Sequence, residues 1–330
     1  MPQLNIVIGV IHPSTAWVLP RRFVDRLRAE FPQHTFVDVW DRQALRGALP
    51  SADAAFAAFL DRDLVPSLTK LRWVQAPAAG VGHLLSDELV ASPIVLTSAR
   101  GVRARPIAEH VLAVTLALAR QLHTALRYQA THTWSLDELE ASGRIRTLKG
   151  ARMGLIGLGA IGIEVAAAAS AFGMHVIAVR KRTTRPAPPG VEEVLPPERL
   201  PELLAASDVV VLAAALTPDT RELIGRAALG HVKRGAFLVN ISRGGLIDDA
   251  AVIEALQDGR LGGAALDVFT REPLDRTSPY WDLPNVIVTP HISGGMEDYW
   301  TPLVALFAEN LTRFERGEPL LNVVDKHAGY

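Results

Sequence analysis

Short apolar runs alternate with longer mixed stretches along the whole chain, the pattern of α/β architecture built on parallel sheets. Over residues 1–100 these runs predict strands at 4–10, 35–40, 53–59, 71–76 and 94–98, with a helix at 21–30. A long helix is predicted from Pro106 to Tyr128, with Pro106 near its first turn, where a missing N–H costs little. A second series opens near Met153, with strands at 152–156, 175–179, 208–213, 236–240, 263–267 and 286–288. Helices are expected in the gaps between them, notably at 161–172, 248–258 and 297–316, the last stopping at Gly317 before an extended tail. The Pro-rich segments 185–190 and 195–201 read as surface connections.

Length and composition narrow the field. A chain of 330 residues suits two domains, and 49% hydrophobic with 21% charged residues leaves no compositional sign of disorder. A net charge of −1 argues against a nucleic-acid surface or an anionic-membrane surface, so neither partner is expected. The absence of cysteine excludes disulfides, thiolate metal sites and cysteine nucleophiles, and is compatible with a reducing cytosol. Met1 leads into an apolar run without a basic leader, so no signal peptide is expected. The most apolar helical stretch, Val111 to Ala119, falls short of the roughly 20 residues that cross a bilayer. A cytoplasmic protein is the expectation.

The sequence MGLIGLGAIG places Gly157, Gly159 and Gly162 between a predicted strand and a predicted helix. In this context the first glycine permits a tight turn, the second lets a pyrophosphate approach the backbone, and the third lets the helix pack on the strand. The helix start at Ala160 and Ile161 offers unpaired N–H groups and a positive dipole end to phosphates. In such a unit an acid about 20 residues further on grips the ribose of NAD, whereas an arginine there accommodates the 2′-phosphate of NADP. Arg180 occupies this place, followed by Lys181, Arg182 and Arg185, and no acid appears until Glu192. NADP(H) is therefore the expected cofactor, with NAD(H) as the second choice.

Three later motifs fall at or beyond strand ends, where open α/β sheets bind ligands: VNISRGGLIDDAAV, GAALDVFTREPL and VTPHISGG. They supply Arg243, Asp267, Glu272 and His291. Nicotinamide-linked carbonyl reduction needs this inventory: a histidine to protonate the oxygen, a carboxylate to fix its tautomer, and an arginine to hold a substrate carboxylate. Each residue alone would fit a structural role; their joint appearance after a dinucleotide loop favours chemistry. His110 lies in an apolar helix outside any motif and reads as structural.

From about Leu71 to the C-terminal LNVVDKHAGY, the chain resembles the D-isomer-specific 2-hydroxyacid dehydrogenase family. The likeness is carried by GLGAIG, LTPDTRELIG, VNISRGGLID, ALDVFTREPL and TPHISGG in that order. It implies two doubly wound parallel-sheet domains, Rossmann-like and flavodoxin-like. An NAD(P)-binding domain (99–291) would be inserted into a substrate domain (1–98 and 292–330), the two closing over a cleft, usually in a homodimer. By the same resemblance, Arg243 binds the carboxylate and carbonyl of a 2-oxo acid, His291 is the general acid/base and Glu272 orients it. Asp267 helps place the nicotinamide, and Thr220, Ile241 and Ser293 join the glycine loop at the cofactor. The loop PAAGVGH (77–83) resembles the one whose N–H groups receive the substrate carboxylate, at Ala79 and Gly80. Trp134 matches a position where relatives often carry tryptophan, with packing at a subunit interface as the plainer reading.

Gly82 and Ala215 depart from the family pattern, which often has Asp and Pro there, but neither removes a chemical group the reaction needs. The basic run at 180–182 resembles the NADP-using glyoxylate/hydroxypyruvate reductases. The implied activity is NADPH-dependent reduction of glyoxylate or hydroxypyruvate. The alternatives are an NAD-linked D-2-hydroxyacid or D-3-phosphoglycerate dehydrogenase and, from a different class, a dinucleotide-binding corepressor.

Overall fold

The computed structural model describes residues 3–13 and 17–329. The chain divides into two compact units, Met1–Val102 with Met296–Tyr330, and Arg103–Gly295. The first unit opens with β1 (Asn5–Gly9), α1 (Arg21–Glu30), β2 (Thr35–Asp38), α2 (Arg42–Ala48), β3 (Ala54–Ala57), β4 (Trp73–Gln75), α3 (Asp87–Ala91) and β5 (Val95–Thr97). Its strands are parallel, in the order β2-β1-β3-β4-β5. Side chains alternate across a strand, so Ile6 and Ile8 of β1 enter one core with Phe36, Phe56 and Trp73. Val7 enters the opposite core with Ala55, Ala57, Val74 and Leu96. Burial on both faces is why these strands read as continuous apolar runs.

The second unit contains α4 (Ala104–Ala119), α5 (Leu122–Ala130), α6 (Leu136–Ala141), β6 (Arg152–Ile156), α7 (Ala160–Ala171), β7 (His175–Val179) and β8 (Glu193–Leu195). It continues with α8 (Leu200–Ala206), β9 (Val209–Leu212), α9 (Arg226–Leu229), β10 (Ala236–Asn240), α10 (Asp249–Gln257), β11 (Leu261–Leu266) and β12 (Val286–Val288). Seven parallel strands run β12-β11-β10-β9-β6-β7-β8, and the order reverses between β6 and β9. Met153, Leu155, Val176, Ala178, Val209 and Val211 face one core. Ile177, Val179, Val210, Leu212, Leu238 and Leu266 face the other. The unit is doubly wound, with its switch point where ligands bind in such sheets.

Helix α11 (Trp300–Arg316) belongs to the first unit. Its Phe307 is fully buried and stacks on Phe56 and Trp73 at centroid distances of 4.8 and 5.2 Å. Gly317 ends it in the left-handed conformation, φ 66°, with the Glu318 N–H returning to the Arg313 carbonyl at 2.9 Å. The tail then lies along β5. The Ser98 N–H donates to the Asn322 carbonyl at 3.1 Å and the Val324 N–H to that of Leu96 at 2.8 Å. Lys326 Nζ donates to the carbonyls of Leu89, Ser92 and Ile94.

Two elements differ from the sequence expectation. The long helix of 106–128 is two helices, α4 and α5, because Gln121 between them takes φ 56°. An α-helix cannot pass through a left-handed residue. Strand β8 was not expected: it is three residues long at the sheet edge, and Glu192 and Glu193 break up any apolar run. Among the described residues no helix is long and apolar enough to cross a membrane.

Candidate active site

The glycine loop lies at the switch point of the seven-stranded sheet, after β6. Gly157 has φ 101°, and a Cβ there would meet the Ala214 nitrogen at 2.6 Å and the Ala213 carbonyl carbon at 2.7 Å, just past β9. A Cβ on Gly162 would meet the Gly157 carbonyl oxygen at 2.4 Å, so only glycine lets α7 start this close to the turn. Gly159, in contrast, has nothing within 4 Å of its Cβ position. As N-cap of α7 it offers no side-chain acceptor, and the first turn holds no acid. The first-turn N–H groups of Ala160 and Ile161 thus meet no capping side chain, and the helix dipole lies behind them. This is a cradle that suits a dinucleotide pyrophosphate.

Arg180 follows β7. Its Nη2 donates to the carbonyls of Arg185 and, at 3.1 Å, Pro186, which ties the basic loop to itself. Among the described residues its Nε is buried without a hydrogen-bond partner. Lys181 is 3.5 Å from Asp219, both largely exposed, and Arg182 is exposed. Thr220 lies in the same 218–220 turn as Asp219; its hydroxyl accepts from the Thr217 N–H at 2.8 Å and donates to the Ala215 carbonyl at 2.7 Å. Ile241 is buried in the core that α4 and α7 cover. The orphaned Nε and surrounding cations suit an anionic group beside the ribose.

The loops after β10, β11 and β12 bring Arg243, Glu272 and His291 together. His291 Nδ1 donates to Glu272 Oε2 at 2.7 Å, and Glu272 Oε1 accepts from the Phe269 N–H at 2.9 Å. A carboxylate can only accept here, so Nδ1 carries the hydrogen and Nε2 is left for other partners. Burial alone would raise the Glu272 pKa. The hydrogen bonds from His291 and Phe269, with the charges of His291 and Arg243, outweigh it and hold the carboxyl below its ordinary value. Arg243 is exposed, and its loop is tied down by buried Asn240, which donates to the Arg243 carbonyl at 3.0 Å and accepts from the Ser242 N–H at 3.1 Å. The next residue fixes the approach of the loops. A Cβ on Gly244 would sit 1.9 Å from the Phe269 carbonyl carbon and 2.1 Å from the Thr270 nitrogen.

Asp267, only 1% exposed, sits at the end of β11. Its carboxylate accepts from the Thr289 hydroxyl at 2.6 Å and from the N–H groups of Ile292 and Ser293, both at 2.9 Å. Sequence reasoning read His110 as structural. It lies in this neighbourhood, with Nε2 3.4 Å from the Thr289 hydroxyl. The sequence signal that would find it is register: α4 packs across β10 and β11, so a histidine on its inner face meets strand ends. Ala79 and Gly80 lie in the first unit, in the loop after β4. Pro77 accepts from the Tyr299 hydroxyl and Ala78 from the Ala99 N–H, whereas among the described residues neither the Ala79 nor the Gly80 N–H has a partner. Gly82 has open space at its Cβ position. Trp134 is 90% exposed.

Comparison with known proteins gives a consistent result. The family profile "D-isomer specific 2-hydroxyacid dehydrogenase, NAD binding domain" matches residues 112–293. The chain is 31% identical to a glyoxylate reductase of Aeropyrum pernix, over 93% of this chain and 96% of that one. It is 34% identical to a D-3-phosphoglycerate dehydrogenase of Mycobacterium tuberculosis over 78% of this chain, but spans only 48% of that relative. Its fold matches an NADPH-dependent glyoxylate/hydroxypyruvate reductase of Sinorhizobium meliloti, solved with NADP and sulfate, at a TM-score of 0.80 and 28% identity, covering 99% and 100% of the two chains. With a profile across more than half its length and a relative matched nearly end to end, the chain belongs to the D-isomer specific 2-hydroxyacid dehydrogenase family of oxidoreductases.

Proposed function

We propose that the protein is an NADPH-dependent reductase of small 2-oxo acids, with glyoxylate and hydroxypyruvate as substrates. The observation that carries this reading is the His291–Glu272 pair, held at 2.7 Å beside the charge of Arg243. Bound NADPH supplies a hydride to the substrate carbonyl carbon. His291 holds a proton at Nε2 and delivers it to the carbonyl oxygen, while Glu272 keeps Nδ1 protonated and holds the ring in place. Arg243 clamps the substrate carboxylate. On the family resemblance the N–H groups of Ala79 and Gly80, without a partner among the described residues, serve substrate binding as well. Gly157, Gly159, Ala160, Ile161 and Gly162 hold the pyrophosphate. Thr220, Ile241, Asp267 and Ser293 complete the cofactor site, Asp267 towards the nicotinamide. Arg180, Lys181 and Arg182 answer the 2′-phosphate, and NAD(H) binds more weakly.

The glyoxylate reductase relative and the NADP-bound structural neighbour support this choice of substrate and cofactor. The Mycobacterium relative favours a second reading, an NAD-linked D-3-phosphoglycerate dehydrogenase. We assign a cytoplasmic location and a second copy of the chain as partner. Helices α5 and α6 bury none of their residues, and Leu126 and Trp134 stand exposed on this segment. The deciding experiment is oxidation of NADPH and NADH against glyoxylate, hydroxypyruvate, pyruvate and 3-phosphohydroxypyruvate. Turnover of the first two with NADPH is expected. NADH-only turnover of the phosphorylated acid establishes the second reading, and no turnover at all removes both.

A further inference from the structure

Asp267 does more than face a ligand. Besides taking the N–H groups of Ile292 and Ser293 on its carboxylate, it accepts the His291 N–H on its own carbonyl at 2.9 Å. One buried residue therefore grips three consecutive residues of the loop that presents the His291 imidazole. That loop needs a grip, because His291 has φ 54°, a region that a residue with a Cβ rarely adopts unless its surroundings impose it. The third group on the carboxylate is the Thr289 hydroxyl, bound at 2.6 Å to Oδ1, the oxygen that also takes the Ile292 N–H.

A threonine hydroxyl has one hydrogen and can rotate, so its hydrogen bond to Asp267 holds only if the alternatives are blocked. The atom on its other side is His110 Nε2, at 3.4 Å. With its hydrogen on Nε2, His110 occupies a lone pair of the hydroxyl, and the Thr289 hydrogen is left to point at Asp267. Burial lowers the His110 pKa, with the Asp267 charge pulling the other way, so the ring is neutral near pH 7 and a single tautomer satisfies the chain of donors.

We infer that His110 of α4 is a positioning residue: through the Thr289 hydroxyl it orients the Asp267 carboxylate, and through Asp267 it fixes the loop that presents His291. The inference rests on the roles proposed above for Asp267 and His291. It assigns to a residue on a helix, with no contact to substrate, a share in the rate.

The test is a double-mutant cycle of His110→Phe and Thr289→Val, read as kcat and KM for NADPH-linked glyoxylate reduction together with Tm. Thr289→Val removes a hydrogen bond to a charged group and should lower kcat about 10- to 100-fold. His110→Phe removes a longer, neutral bond and should lower it about 2- to 10-fold, with KM for glyoxylate and Tm near wild type. Because one acts through the other, the double variant should equal Thr289→Val alone. His110→Gln, which restores an N–H donor, and Thr289→Ser, which keeps the hydroxyl, should recover most of the rate; if His110→Phe does not fold, His110→Ala against His110→Gln decides. Multiplying effects in the double variant, or full activity in His110→Phe, would overturn the inference. If His291→Ala also retains full activity, the proposed function falls as well. If His291→Ala is inactive, only the role of His110 is lost.

Discussion

Replacing Gly244 by alanine is the sharpest probe of how the site is assembled. The added Cβ would lie 1.9 Å from the Phe269 carbonyl carbon and 2.1 Å from the Thr270 nitrogen, both backbone atoms with no rotamer to escape into. Reaching even 3.0 Å from the nearer atom requires the Arg243 loop and the Phe269–Glu272 loop to part by 1.1 Å. A misplacement of about 1 Å between reacting groups can cost on the order of 100-fold in rate. Overpacking of this kind destabilises by about 1–3 kcal/mol. Gly244→Ala should therefore lower kcat/KM for NADPH-linked glyoxylate reduction by about two orders of magnitude and shift the urea midpoint downward. Gly245→Ala is the control. Its Cβ would meet the ends of two flexible side chains, Leu216 at 3.1 Å and Arg221 Nη1 at 3.7 Å, which can turn aside, so a loss under about 1 kcal/mol is expected. Wild-type kcat/KM and urea midpoint in Gly244→Ala would refute the claim that this close approach sets the distance between Arg243 and Glu272.

Other outcomes follow from the same geometry. His291→Ala should lower kcat by about 10²–10⁴-fold, and Arg243→Ala should raise KM as well as lower kcat, both read in steady-state assays. Arg180→Asp should raise KM for NADPH far more than for NADH; an unchanged ratio would remove the 2′-phosphate role, since the tie to the Arg185 and Pro186 carbonyls would then be the residue's only task. Glu272 has a folded-state pKa below its ordinary value, so its contribution to stability is present above that value and lost as pH falls through the lowered one. Urea melts across this acid range should show a steeper fall for the wild type than for Glu272→Gln. Trp134→Ser should weaken self-association in sedimentation, and an unchanged mass would argue against this segment as the contact.

The strands were legible because both faces of each sheet are buried, so β6, β7, β10 and β12 stand out as unbroken apolar runs. β8 was not, because an edge strand flanked by glutamates has no such run. The break between α4 and α5 was hidden too: ARQLH contains neither Gly nor Pro, and Gln121 turns left-handed only in its folded setting. The motifs gave the positions of Arg243, Glu272 and His291 but not what holds them. That Gly244 spaces two loops, and that Asp267 grips residues 291–293, depend on contacts between strand ends far apart in sequence. His110 was passed over for the same reason: its partner Thr289 lies 179 residues away. Charge at 180–185 was visible in the sequence, whereas the folding of Arg180 back onto its own loop was not.

The tail along β5 also protects the molecule from itself. An outermost strand with free backbone groups is a template for unwanted pairing between molecules. Here residues 322–324 occupy the bare side of β5 through the Ser98 and Val324 N–H groups, and Lys326 pins the segment in place. A chain cut before Asn322 would keep every residue of the proposed site yet expose that rim. Its expected failure is aggregation on storage rather than loss of chemistry.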